Sequence, residues 1–140
     1  MINFRIIARI LSLVLIVEGI FLLLTTGISV VIDDGVTSSF LYSAIITLVT
    51  GIISFTPLKP DEKVYGNREG YIIVAATWVI FGIFGSLPFL FTGSADSFTD
   101  AFFETISGFT TTGATILTDI ESVPASVLLW RSLTQWIGGI

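Results

Sequence analysis

"FFETISGFTTTGAT", residues 102–115, is the stretch on which the reading of this chain turns. Its first half has the pattern of a helix with one apolar face. Its second half, three threonines and a glycine, suits neither a stable helix nor a soluble loop. Phe98, Phe102, Ile106 and Phe109 recur at three- and four-residue spacing, which predicts helix from Phe98 to about Ser107. Ser97 with Asp100 three residues later is a capping-box pattern, with a hydroxyl and a carboxylate placed to take up free amides of the first turn. Such a helix is roughly 15 Å long, about half of a hydrocarbon core. It is too short to cross a bilayer.

The rest of the sequence calls for a bilayer. Of the 140 residues 53% are hydrophobic and 12% charged, and the mean hydropathy is +0.95. A soluble domain carries about 25% charged residues, so half the usual surface charge is missing. With no cysteine and no histidine there is no disulfide framework, thiol nucleophile, thiolate or imidazole metal ligand. Neither an in-membrane lysine nor a pair of intramembrane aspartates is present, which argues against an enzyme. A net charge of −5 argues against a nucleic-acid partner. The composition is that of an all-α integral membrane protein, with lipid as its surroundings.

Three spans precede the short helix. The first runs from about Ile6 to Ile32, too long for a signal-peptide core, and ends at Asp33-Asp34-Gly35. The second, "FLYSAIITLVTGIISF" (40–55), reaches the lower limit for crossing with its flanks and is closed by Pro57 and Pro60. A charged loop, "LKPDEKVYGNREG", follows. The third, "YIIVAATWVIFGIFGSLPFLF" (71–91), carries Gly82 and Gly85 as a small-residue face and Pro88 as a kink or stop near its far side. Arg5 and Arg9 precede the first span, and Lys59, Lys63 and Arg68 follow the second. Asp33, Asp34, Asp96, Asp100, Asp119 and Glu121 fall in the other loops, which hold no lysine or arginine. The positive-inside rule then puts the N-terminus and the 57–70 loop in the cytoplasm, and "FFETISGFTTTGAT" on the outer side.

A half-length helix between two spans on one side of a membrane reads as re-entrant. Backbone that leaves a helix at that depth must be buried in protein or line a water-filled path. Threonines favour extended backbone, and Gly113 allows a conformation other residues avoid without crowding the axis. The helix directs its partially negative C-terminal end at this segment, which favours a cation. Oxygen ligands with no carboxylate among them suit a weakly held monovalent ion. The physical reading is a pore helix and an extended filter loop for K⁺ or a similar cation. The competing reading is an ordinary solvated turn.

These residues resemble the TrkH/Ktr/HKT superfamily of potassium transporters, and within it the bacterial TrkH branch. "DAFFETISGFTTTGAT" is similar to that family's first pore helix and filter, and "GSLPF" (85–89) to the end of the helix before it. "NREGY" (67–71) is similar to that helix's cytoplasmic start, and "LLWRSLTQWIGGI" (128–140) to the helix after the filter. The resemblance implies residues 1–56 as two extra N-terminal transmembrane helices, 57–70 as a cytoplasmic loop, and 71–140 as the first of four helix–pore loop–helix repeats. It implies K⁺ held by backbone carbonyls near Thr111, Thr112 and Gly113, and a pore-forming subunit of a K⁺ uptake system in the bacterial inner membrane. It further implies a homodimer on a cytosolic nucleotide-binding regulatory subunit of the TrkA type. The last helix, from about Ala125, has roughly 24 Å before the sequence stops, so an N-terminal piece of a longer protein is expected. The alternative from another class is a small, non-conducting multispan assembly or adaptor protein.

Nine side chains outside the filter invite a role. Glu18 lies mid-span, where a charge is costly; it belongs to an ion or proton path, or it faces a neighbouring helix hydrogen-bonded or protonated. Glu104 either adds negative potential behind the filter or anchors the short helix. Arg131 is an electrostatic barrier, a partner for Glu104 or Asp119, or a snorkelling side chain. Trp78, Trp130 and Trp136 read as packing and interface anchors, and Lys59, Lys63 and Arg68 as positive-inside anchors or contacts for a cytosolic subunit.

Overall fold

The computed structural model describes residues 4–55 and 67–139. Within them the chain is helical: α1 (Phe4–Ile32), α2 (Thr37–Phe55), α3 (Asn67–Gly85), α4 (Leu87–Phe91), α5 (Phe98–Phe109), a 3₁₀ turn (Ile120–Ser122) and α6 (Ala125–Gly138). Three stretches are long and apolar enough to cross a membrane: Phe4–Ile32, Thr37–Phe55 and Arg68–Phe91. They match the three expected spans. Pro57, Pro60, Lys59 and Lys63 lie outside the described residues, as does Ile140.

The distribution of polarity in α1 is the reverse of that in a soluble helix. Its exposed positions include Leu13, Val17, Ile20, Leu24 and Val31, while Ser12, Glu18, Thr25, Thr26 and Ser29 are buried. Apolar outside and small or polar inside is what lipid selects, because hydrocarbon tails are as apolar as leucine and only close packing favours association. Glycines allow that packing. A methyl at Gly19 would overlap Leu48 of α2, and one at Gly51 would press on Leu15 and Ile16 of α1. At the other end of the pair the Arg9 guanidinium stands 4.7 Å above the Phe55 ring.

The third span breaks at Ser86. Its hydroxyl turns back to the Ile83 carbonyl at 2.7 Å, and Pro88 enters α4 in its first turn. A proline ring collides with the carbonyl four residues earlier, so the interruption falls before Pro88 rather than at it. Gly82 and Gly85 form the expected small face: a methyl at Gly82 would overlap Phe102 and Ile106 of α5, and one at Gly85 would meet Thr105.

α5 begins as read from the sequence, with Ser97 at its N-cap accepting the Asp100 amide at 3.1 Å. The other half of the box differs. The Asp100 carboxylate accepts the Ser97 hydroxyl at 2.7 Å instead of a backbone amide. The helix continues to Phe109, two residues past the expected end, and reaches roughly 18 Å. α3 and α6 flank it. The core gathers Leu22, Phe40, Phe89, Ala101, Val127 and Trp130 where the first helix pair meets the later elements. Trp130 is fully buried and its indole N–H donates to the Gly85 carbonyl at 2.9 Å. Trp78 and Trp136 are partly exposed, at 37% and 59%.

Asp34 ties the two halves together. It sits in the α1–α2 turn, where Asp33 and Gly35 both take positive φ. One carboxylate oxygen accepts the Ser29 hydroxyl at 2.6 Å, and the other accepts the backbone N–H of Ser126 in the first turn of α6 at 2.8 Å. Partial burial works to raise the Asp34 pKa, but hydrogen bonds from Ser29 and Ser126 outweigh it and hold the carboxyl below its ordinary value. A depressed folded-state pKa contributes stability that is present above the ordinary carboxylate range and lost as pH falls through the folded value. Asp34→Asn in the purified protein should therefore lower the melting temperature modestly at neutral pH. The gap between variant and wild type should close as the buffer is acidified below the ordinary carboxylate range. A gap that persists at acid pH would mean that charge is not the source.

Candidate functional site

The segment after α5 is organised by what happens to the last carbonyls of that helix. Thr110 is its C-cap. The Thr111 N–H donates to Gly108 O at 2.8 Å and the Thr112 N–H to Ser107 O at 3.0 Å, the paired bonds of a Schellman ending. The Gly113 N–H also points at Ser107 O, at 3.4 Å. All three amides therefore turn back into the helix. The position that must be left-handed in this ending is Thr111, at φ 56°, and Gly113 repeats the conformation at φ 76°. A β-branched residue there is a true outlier, costing on the order of 1–3 kcal/mol, and such strain clusters at functional sites.

Thr111 and Thr112 carry exposed carbonyls to which no hydrogen bond is directed among the described residues. The next two are engaged. Gly113 O accepts Arg131 Nη2 at 3.2 Å, and Ala114 O accepts the Ser107 hydroxyl at 2.6 Å. Of the three residues singled out in the sequence, two present free oxygens and the third shares its oxygen with an arginine. The loop is not uniformly extended, because its turn at Thr111 keeps it against the helix end.

The return limb is fixed by one carboxylate. Glu104, 1% exposed, accepts the Thr115 hydroxyl at 3.0 and 3.1 Å, the Ile116 N–H at 3.0 Å and Arg131 Nε. The ion pair answers two questions the sequence left open. Arg131 is a partner of Glu104 and not a snorkelling side chain, and Glu104 is an anchor whose charge is neutralised on the spot. Nothing local in the sequence announces the Thr115 and Gly113 contacts, which lie 11 and 18 residues from their partners.

Two close approaches complete the frame. A methyl at Gly138 of α6 would overlap the Phe109 carbonyl, and one at Gly108 of α5 would overlap the Thr134 hydroxyl. On the far side of the loop an open polar recess of about 540 Å³ is lined by Thr92, Ser94, Asp96, Asp100, Thr118 and Asp119 among others. Its carboxylates, Asp96, Asp100 and Asp119, make a negative field around the start of α5, one that draws in cations.

If Glu104 serves to neutralise Arg131, removing one charge is worse than removing both. Glu104→Gln leaves a cation bonded to the Gly113 carbonyl and should cost about 3–5 kcal/mol of stability together with function. Adding Arg131→Gln should restore part of that loss, as a double-mutant cycle on melting temperature would read. Strictly additive losses would show that the pair is not coupled.

Comparison with known proteins follows this geometry. Residues 37–140 match the family model described as TrkH, cation transport protein. The chain is 40% identical over 139 residues to the Trk system potassium uptake protein TrkH of Halomonas elongata, covering 99% of this chain and 29% of that protein. It is 35% identical over the same length to the TrkH of Escherichia coli K12, again covering 99% and 29%. The crystal structure of the potassium transporter TrkH from Vibrio parahaemolyticus superposes with a TM-score of 0.92 at 34% identity, over 99% of this chain and 30% of that one. The chain thus spans under a third of the length of these relatives.

Proposed function

Since the chain belongs to the TrkH family of cation transport proteins, we propose that it is the first pore-forming portion of a potassium uptake protein. K⁺ is the cargo, and the carbonyls of Thr111, Thr112 and Gly113 contribute to its binding site. The observation that carries this reading is the helix ending at Phe109: three amides fold back onto Ser107 and Gly108, so that the Thr111 and Thr112 carbonyls stand free and exposed. Free carbonyls replace the hydration shell of a monovalent cation, and a site made of them releases the ion again. The partially negative end of α5 supplies the field. A ring needs more oxygens than one loop offers, and in this reading three further loops of the longer protein provide them.

On the same reading α5 is re-entrant, residues 1–56 form an N-terminal pair of helices, 57–70 a cytoplasmic loop and 71–140 the first repeat. The protein is multi-pass in a bacterial inner membrane, with Arg5, Arg9 and Arg68 on the cytoplasmic side and the filter toward the outside. A homodimer served by a cytosolic subunit of the TrkA type rests on the family resemblance.

The test is rubidium uptake by potassium-starved cells lacking their own uptake systems. The full-length gene is compared with Gly113→Asp at matched membrane expression. A methyl at Gly113 would meet Gln135 Nε2 at an ordinary 3.9 Å among the described residues, so the substitution introduces charge and backbone strain without a steric clash. Wild-type uptake with the variant at the level of cells without the gene is the expected outcome. Equal uptake by both would reduce the loop to a turn. No uptake by either, with the cytosolic subunit supplied, would favour the non-conducting adaptor.

A further inference from the structure

The first helix carries a carboxyl that the pore does not use. Glu18 lies near the middle of α1, is 1% exposed, and neither of its oxygens meets a hydrogen-bond partner among the described residues. Gly85 of α3 makes room for it: a methyl there would come within 2.9 Å of Glu18 Oε1, and would also press on the Thr105 methyl and the Phe109 ring of α5. The carboxyl therefore sits where α1, α3 and the short helix meet, beside the residue that follows Glu104. The described residues already close over it.

Among the described residues no opposite charge faces it. Tyr42 is the ionisable side chain of α2 and is 61% exposed. Arg68 and Glu69 stand in the first turn of α3, at the opposite end from Gly85, and Arg5 and Arg9 near the start of α1. From α5, Asp100 is bonded to Ser97 at the exposed helix start, and Glu104 is committed to Arg131, which is the charge of α6.

A bare carboxylate in such a place costs several kcal/mol and marks a functional position. Something positive must occupy it. Sodium or potassium needs a shell of several oxygens, whereas this carboxyl meets no hydrogen-bond partner among the described residues and borders the gap at Gly85 that the Thr105 methyl and the Phe109 ring also border. A proton needs only the carboxylate, with which it forms one O–H bond. Outward from Glu18, the buried face of α1 carries the hydroxyls of Thr25, Thr26 and Ser29, and Ser29 bonds Asp34 at the outer turn.

We propose that Glu18 is a proton-binding site, and that its occupancy is felt by the pore helix through the Gly85–Thr105 contact. Its charge, when present, lies directly behind the helix that presents the filter. The transport arm of the test rests on the potassium-uptake reading, while the spectroscopic arm does not.

Infrared difference spectra of the full-length protein in membranes, wild type against Glu18→Gln, should show a protonated-carboxyl stretch that the substitution removes. Loss of a carboxylate band instead would overturn the site. Rubidium uptake should then be followed against external pH. Wild-type uptake is expected to change by up to about tenfold per pH unit, the limit for one proton. Glu18→Gln should be flat. Glu18→Met, apolar and close in size, should reach the membrane at wild-type level and be equally flat. A flat wild-type profile, or either variant following a sloping one, would overturn the coupling. If the wild type takes up no rubidium at all, that failure falls on the uptake reading, and the infrared result still decides the site.

Discussion

The buried Glu104 carboxylate is the interaction on which the course of the chain after α5 depends. The return limb from Ala114 to Asp119 has no helix or ladder of its own, so its direction must be imposed by side chains. Glu104 imposes it at Thr115 and Ile116, and binds Arg131 with its remaining capacity. Arg131 in turn reaches Gly113, so a single ion pair fixes both ends of the loop relative to α6. The Schellman bonds do the complementary task on the other limb. They consume the amides of Thr111, Thr112 and Gly113, and leave the Thr111 and Thr112 carbonyls without a hydrogen bond among the described residues.

That arrangement requires helices that approach one another closely without stranding polar groups. The buried hydroxyls of Ser12, Thr25, Thr26, Ser43, Thr47 and Thr105 each bond a carbonyl four residues earlier in their own helix. They are satisfied before any neighbour arrives, so they pack as small, nearly apolar surfaces. Glycines do the rest at the crossings of α3 and α6 with α5. Buried polar residues and exposed apolar ones are two sides of one solution to a lipid surrounding.

Hydropathy made the three spans legible, and cap chemistry with helical spacing made α5 legible, because these signals are local. The third span's break was half visible. Pro88 announced it, but the interruption moved to Ser86 because the ring acts on what precedes it. That a loop follows α5 could be read, and its conformation could not. Threonines suggested extended backbone, yet Thr111 is left-handed because the demands of the helix ending outweigh its own preference. Pairings across 27 and 92 residues, Arg131 with Glu104 and Ser126 with Asp34, depend on how whole helices dock. The first was one of several readings open in the sequence; the second had no signal.

The Asp34–Ser126 contact bears on the order in which the molecule is made. α6 begins at a proline that offers no side-chain cap, and the amide of its first turn is met by a carboxylate 92 residues upstream. Asp34 leaves the ribosome long before Ser126 does. The starting point of α6 is set on the α1–α2 turn rather than by a cap of its own. The placement of α6 is thereby tied to that of the first hairpin, and a shift in the α1–α2 turn would be passed on to the helix that carries Arg131.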